Sequence, residues 1–474
     1  MTDSKKLAAV KGEVESPVKK DKTLDLIEDK DDFIHRFRTL YNSEIFSDIV
    51  LVVGDTRFYA HKILLVTASE VFEAMLSEAR WQESSQNEVC LTEDEDCVSV
   101  FPDFLKYIYC GSVELTTSMV HKLLILADKY GIHVLHKTCV EYMSRHIVTS
   151  PDTNRTLTWY HYAKITNGQH LQEKCLAFIL SNFSIIQKAP DWLDLTPSVM
   201  VEFLQSSEMV VESEFQLWME VQRWIKAVED PDIVLEKLKA VLPHMRFSMM
   251  TPADLLKMEN SDLYNEHTEL FGNRLMRAYR GHSLHSSDLM SHTREEPYRN
   301  YYHKLYSICD DLKLRNYIET PKTESQLVAS MVVPIHLKPF PVQIKDDDSL
   351  SFDVAFYPQG FYQAHPLYGM YMSRQSDETV LNVSRICTSS QHIVDVDITF
   401  VIYAYRDNMK YIAHSRTVSH QFSNKSRHGK VENVISVENL KSKKSPYLVG
   451  KSFESKIFLK IQNIQLEEKK EKKE

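Results

Sequence analysis

The spacing of apolar residues changes character three times along this chain. Between residues 31 and 41, Phe33, Phe37, Leu40 and Tyr41 recur at i, i+4, i+7 and i+8, which makes one apolar helix face. "SDIVLVV" then reads as a strand, "GD" as a hairpin turn and "TRFYAH" as the returning strand. "KILLVTASEVFEAML" predicts two short helices and "NEVCLT" a further strand. Helical patterns follow over 98–110, 118–130 and 134–147. Pro102 is tolerated because it falls in an opening turn, where its missing N–H loses no helical bond. Residues 29–148 therefore form one α/β unit of ordinary domain size.

From 149 to 280 the chain is a succession of amphipathic segments with short turns, and an all-helical domain is expected. In "SEFQLWMEVQRWIKAV", Phe215, Leu217, Trp218, Val221, Trp224 and Ile225 line one broad face, which places both tryptophans in the helical core. A polar linker is expected over 281–324. From 325 to 466 the period becomes two, in runs such as "LSFDVAFYP", "VDVDITFVIYAY" and "SKIFLKIQNI". Several strands without a long helix between them predict an antiparallel β-sandwich. Residues 1–28 mix charges with few large apolar side chains and are expected to be disordered, and 467–474 are a solvated charged tail. The fold class is multidomain α+β.

With 56 Lys and Arg against 66 Asp and Glu, the net charge of −10 argues against nucleic acid or anionic lipid as a principal partner. No apolar run approaches the length of a membrane span. The first residues have no hydrophobic segment of the signal-peptide type, so a cytoplasmic protein, with the nucleus as a further location, is expected. Seven scattered cysteines without a CxxC pair fit reduced thiols. Four N-x-S/T sequons, at Asn154, Asn182, Asn382 and Asn424, are then chance matches.

Candidate chemistry is sparse. No phosphate-binding glycine loop, GxSxG or HExxH is present, so neither enzyme activity nor a cofactor is expected. His282, His285 and His292 lack a cysteine or carboxylate cluster to complete a metal site. The acids of "EDEDC" at 93–97 suit a helix start. One feature of the α/β unit stands out. Trp81 is the only large apolar residue of "SEARWQESSQNE", so it either folds back onto its own domain or serves a partner.

Several motifs bear on that choice. "SDIVLVVGDTRFYAHKILLVTASEVFEAML", "SSQNEVCL", "FLKYIYCGSVEL" and "LLILADKYGIHVL" resemble a BTB/POZ domain in order and spacing. "FLQSSEMVVESEFQLWMEVQRWI" and "LPHMRFSMMTPADLL" resemble the BACK domain that follows it in many adaptors. With "WYHYA" and a β-rich C-terminus in place of kelch repeats, the architecture resembles the BTB/POZ domain-containing protein 17 group. "VAFYPQGF", "VISVENLKSKKSPYLVG" and "SKIFLKIQ" look like the TRAF/MATH sandwich. Its peptide groove uses aromatics flanking a glycine, whereas this chain has Gly429, Lys430 and Val431 there.

The resemblance implies homodimerisation through the first helix, with Phe33, Phe37 and Leu40 at the dimer face. It also implies a cullin contact. Cullin-binding BTB domains carry a hydrophobic residue, any residue and Glu in the loop that here holds Trp81, Gln82 and Glu83, and "TLTWYHYA" adjoins that contact. The implied function is a substrate-recruiting adaptor of a cullin-RING ubiquitin ligase, with an unidentified protein substrate on the sandwich. A second reading is a non-catalytic interaction scaffold without ligase association.

Overall fold

The structure, a computed structural model, describes residues 29–77, 86–283, 296–302, 309–314, 327–334, 349–357, 363–364, 371–372, 378–386, 392–442, 445–449 and 452–466. The expected tails at 1–28 and 467–474 lie outside them. By contact density the chain divides into two compact units. The first holds residues up to 114 together with 125–133, and the second holds 115–124 and everything from 134 onward.

The first unit opens with α1 (Lys30–Arg38). Its N-cap Asp29 accepts from the Asp32 amide, and its last turn carries His35, Arg36 and Arg38 at the negative end of the dipole. β1 (Ile49–Val53) and β2 (Thr56–Ala60) form the expected hairpin, whose turn needs Gly54 at φ +56°. β3 (Glu88–Leu91) joins β1 in parallel, giving the order β2-β1-β3. The remaining elements are α2 (Lys62–Ala68), α3 (Glu70–Ser77), α4 (Glu95–Val98) and α5 (Phe101–Cys110). The last of these stops at Gly111 in the left-handed region. Phe58, Phe72, Phe101, Phe104 and Tyr130 pack ring on ring in the core. The helices α6 (Val120–Lys129) and α7 (His133–Arg145) lead into the second unit.

The helical part of the second unit continues with α8 (Thr156–Ile165), α9 (Gln169–Ser181), α10 (Phe183–Ile186) and α11 (Pro197–Gln205). The short strand β4 (Val210–Val211) precedes α12 (Glu214–Ile225) and α13 (Pro231–Val241). α14 (Pro252–Glu259), α15 (Asp262–Glu266) and α16 (Thr268–Ser283) complete it. Ser213, Asp230 and Thr251 cap α12, α13 and α14 through side-chain acceptors, so each turn is written into the sequence. Trp159, Trp192, Trp218 and Trp224 are fully buried, as the apolar stripe of α12 predicts for its two.

The strand-rich part contains β5 (Asn300–Tyr301), β6 (Cys309–Leu314), β7 (Leu327–Pro334), β8 (Ser349–Tyr357), β9 (Gln363–Ala364) and β10 (Tyr371–Met372). β11 (Glu378–Arg385), β12 (His392–Arg406), β13 (Met409–Phe422), β14 (His428–Ser436), the short helix α17 (Val437–Lys441), β15 (Leu448–Val449) and β16 (Ser452–Leu466) follow. Four strands pair as β14-β11-β8-β7, and β13-β12-β16 pairs further with β15 and β6, all antiparallel. Phe356 of β8 meets Phe400 and Phe453 of the other sheet, and Phe352 meets Phe422. These contacts close the expected sandwich. β5 and β6 fall inside the 281–324 stretch expected as a linker, because Asn300–Tyr301 and the strand of Cys309–Leu314 find distant partners in β4 and β16.

Candidate interaction surfaces

Three features bear on function. The first is the face of α1. Phe33 is 58% exposed and rests edge-on against Phe37 at 5.0 Å, and Phe37 is half-buried; the expected stripe is shorter than its spacing predicts, because α1 stops at Arg38 and the half-buried Leu40 and Tyr41 lie in the turn that follows. The loop after α1 carries exposed apolar side chains of its own: Ile45 is 62% and Phe46 87% exposed. Asn42 and Phe46 both sit at positive φ, 49° and 58°. Such backbone persists only where its surroundings enforce it. Here Asn42 Oδ1 accepts from the Tyr59 amide at 3.0 Å, and the Ile45 carbonyl accepts from His61 Nε2 at 2.8 Å. The buried His61 in turn donates its amide to the Tyr109 hydroxyl and pairs its Nδ1 with that group at 2.9 Å. Burial pushes the Tyr109 phenol up to about 12, so it stays a neutral hydrogen-bonding post. The loop is thereby held with its two largest apolar side chains facing out.

The second, the expected cullin contact of Trp81, Gln82 and Glu83, lies outside the described residues. Of the adjoining "TLTWYHYA", Leu157, Trp159 and Tyr160 are core residues, and His161 is exposed.

The third feature joins the helices to the sandwich. Arg299 and Glu214 are both fully buried and form an ion pair, Nε to Oε2, of 3.0 Å. Arg299 also donates from Nη1 to the Ser206 carbonyl at 2.6 Å and from Nη2 to the His244 carbonyl at 3.0 Å. Tyr301 OH donates to the same Glu214 oxygen at 2.5 Å, and the Arg246 amide to the other carboxylate oxygen. Arg246 reaches the Pro297 carbonyl, and Ser248 donates to Glu296, whose acid group burial pushes up. β5 is added in parallel to β4 beside this network. Further along, Asn182 clamps the edge of β13 from both sides. Its Oδ1 accepts from the Ile412 amide at 2.6 Å and its Nδ2 donates to the Ile412 carbonyl at 3.0 Å. Lys460 of β16, fully buried, lies 3.7 Å from Glu208, which also accepts from Thr417. Burial lowers the Lys460 pKa. The spacing patterns did not point to Glu214, Arg299 or Asn182. The one available sign was the aromatic-flanked arginine of "PYRNYY" inside an otherwise polar stretch.

Within the sandwich, Gly429 is required by close approach, since a Cβ there would stand 3.0 Å from both His420 and Ile398. Its neighbours His428 and Lys430 are exposed. Elsewhere, Glu93 of "EDEDC" binds Lys129 and Tyr130. His282 Nε2 meets the Met250 carbonyl at 2.8 Å, while His285 and His292 lie outside the described residues. Among the described residues no group of three His, Cys, Asp or Glu is placed to hold a metal, and no helix is long and apolar enough to cross a membrane. The amides of Asn154 and Asn182 are buried and hydrogen-bonded, so neither sequon is open to modification in the folded chain.

Comparison with known proteins agrees with this layout. A BTB/POZ domain model matches residues 37–147, a BACK (BTB And C-terminal Kelch) model 156–260, and a BTBD17 TRAF domain model 296–468. The chain is 31% identical over 264 residues to BTB/POZ domain-containing protein 17 of Xenopus laevis, covering 54% of each. It is 30% identical over 257 residues to the Homo sapiens protein of that name, covering 53% of this chain and 51% of that one. Galectin-3-binding protein of Mesocricetus auratus is 31% identical over 232 residues, 49% of this chain and 38% of the relative. The chain spans about half the length of the curated relatives it matches. The BTB domain of human Gigaxonin matches 25% of this chain and 97% of that one at 23% identity, with a TM-score of 0.21. BTB and BACK domains are protein-interaction modules and mark an adaptor family rather than a catalytic one. With these domains in this order, the chain is a BTB/POZ–BACK domain protein with a C-terminal TRAF domain, similar to the BTB/POZ domain-containing protein 17 group.

Proposed function

We propose that this protein is a non-catalytic, substrate-recruiting adaptor of a cullin-RING ubiquitin ligase, homodimeric through its BTB domain and working in the cytoplasm. The observation that carries the reading is the order of modules, BTB then BACK then TRAF sandwich, with the sandwich fixed to the BACK helices by a buried polar network. The exposed Phe33 and the half-buried Phe37 on α1, with the half-buried Leu40 in the turn after it, support the dimer, because apolar surface of this kind is a liability in a monomer. Ile45 and Phe46, exposed in the loop that follows, add further apolar surface.

Trp81 and Glu83 form the cullin contact in this proposal. An aromatic anchor entering a partner pocket supplies about 2 to 4 kcal/mol, and a carboxylate beside it adds specificity more than affinity. The adaptor performs no bond chemistry. It raises the local concentration of substrate lysines near the charged ubiquitin carrier, and a dimer presents two substrate sites at once. Co-precipitation with a cullin, comparing the unaltered chain with Trp81→Ala and Glu83→Ala together, tests it. The expected result is capture by the unaltered chain and loss in the double variant with the dimer retained. Undiminished capture removes the role of this loop, and no capture by the unaltered chain favours the ligase-free scaffold.

A further inference from the structure

The charge of this chain is unevenly spread. Its net charge is −10, yet residues 408–431, which run from the β12–β13 turn through β13 into β14, contain no Asp or Glu. The same stretch holds five Lys or Arg and three His. Lys410 is paired with Glu454, whereas Lys425, Arg427, His428 and Lys430 gather, all exposed, at the β13–β14 hairpin. The neighbouring strand offers them no counter-charge, since His428 stands opposite Ser384 of β11 and Lys430 opposite Asn382. On β12, Asp395 is occupied by Gln421 and Asn463, and Asp397 by Ser419 and Gln462. Glu432 and Asp353 bound the patch on the outer face of the four-stranded sheet.

The hairpin holds these groups in place. The Ser423 amide donates to the Ser426 carbonyl at 3.0 Å, and the Arg427 carbonyl accepts from the Arg385 amide at 2.9 Å, which ties the tip to β11. Arg427 Nε donates to the Asn424 carbonyl at 3.1 Å, and neither Nη has a partner among the described residues. Asn382 Nδ2 donates to Ser384 Oγ at 2.9 Å, and that oxygen meets His428 Nδ1 at 2.8 Å. When Nδ1 accepts the hydroxyl hydrogen, and equally when the ring is protonated, Nε2 of His428 is a donor. His428 and Lys430 share one face of β14, about 7 Å apart along the strand.

A guanidinium fork, an ammonium and an imidazole donor on a pinned backbone suit a compact, doubly charged anion. A phosphate monoester offers about −1.5 to −2 charges and three acceptor oxygens. A polyanion fits less well: duplex binding takes about 6 to 10 phosphate contacts, more than one hairpin with three cations and a histidine supplies. We propose that the β13–β14 hairpin docks a phosphoserine- or phosphothreonine-bearing segment of the protein substrate. Arg427 and Lys430 bind the phosphate oxygens, His428 donates from Nε2, and Lys425 adds charge from the turn. This rests on the sandwich being the substrate module proposed above, and names the chemistry that module reads. Recruitment thereby waits on phosphorylation.

The test uses a degenerate peptide library with one fixed phosphoserine, immobilised beside the same library with serine or glutamate at that position. The unaltered full chain should be retained about tenfold more strongly on phosphoserine than on either. Arg427→Glu and Lys430→Glu should each weaken that retention about tenfold. Lys174→Glu, exposed on α9 and equal in charge change, should leave it unaltered. Arg427→Gln with Lys430→Gln is the milder pair if a reversal lowers the thermal unfolding temperature. Equal retention on phosphoserine and serine, or on phosphoserine and glutamate, would overturn the proposal. So would hairpin-dependent binding of oligo(dT) or phosphatidylserine vesicles without a phosphoserine preference. Cullin capture is read on the same preparations. Capture without a phosphoserine preference overturns the hairpin site and leaves the adaptor reading standing. A phosphoserine preference without capture supports the site within a ligase-free scaffold.

Discussion

Arg299 and Glu214, 85 residues apart, meet in a fully buried ion pair in which each guanidinium nitrogen finds an acceptor. Burying two charges is costly unless the pair and its remaining hydrogen-bonding groups are satisfied, and here three carbonyl or carboxylate acceptors serve the arginine. Tyr301 and the Arg246 amide complete the Glu214 side. The start of the TRAF region is thereby fixed to the BACK helices, and the two are expected to unfold together.

Glu214→Ala should lower stability by about 3 to 5 kcal/mol, because it leaves the Arg299 charge buried without its partner. The joint replacement Glu214→Leu with Arg299→Met should cost clearly less, since both charges leave together. Chemical denaturation of the three proteins checks this. Equal losses in the single and joint variants would show that the pair is not the source of the stability.

Asn182→Ala removes both bonds to the Ile412 backbone and should cost about 1 to 3 kcal/mol. Amide hydrogen exchange reads it locally: the Ile412 amide should lose protection well before its neighbours paired with β12. Protection at Ile412 equal to that of the unaltered protein would mean that the strand edge is covered by something else.

Gly429→Ala should destabilise the sandwich by about 1 to 3 kcal/mol, because the new methyl must displace His420 and Ile398 from contact distance. The equivalent change at Gly272, where nothing lies within 4 Å, should be close to neutral for the fold of the isolated chain. Thermal unfolding of the two variants side by side provides the comparison.

Acid should weaken the second unit. Burial lowers the pKa of His414, His420 and His244 from the usual 6.5, with His428 and Arg299 adding to the shift in the last two. A histidine lowered on folding contributes stability that is fully present above 6.5 and lost as pH falls through its folded value. The melting temperature should therefore drop between pH 7 and pH 5, and His414→Phe should flatten that part of the curve. Glu296 acts in the opposite direction, since its raised pKa favours the protonated, folded form as pH falls. The difference between the His414 variant and the unaltered protein isolates the histidine effect.

Much of the fold was legible in the chain. The β1–β2 hairpin follows from two alternating runs around a glycine turn, and the α12 core from six apolar residues at helical spacing. β11 and β14 were not singled out, because Asn382, Ser384, His428 and Gly429 interrupt the alternation that marks a strand. The segment around Arg299 read as linker for a different reason. Its partners Ser206, Glu214 and His244 lie far away in sequence, and a local pattern cannot register a bond of that kind. The α1 candidates were visible as a stripe, whereas Ile45 and Phe46 were not. Their exposure depends on His61 and Tyr109 holding the loop.

The most direct test of the account is a binding measurement between the purified full chain and the N-terminal region of a cullin, by light scattering with mass determination. The account predicts a complex of two adaptor chains with two cullins, reduced to one of each by Phe33→Ser with Phe37→Ser and abolished by Trp81→Ala with Glu83→Ala. Free adaptor beside free cullin at every concentration, with the unaltered protein folded, would contradict it.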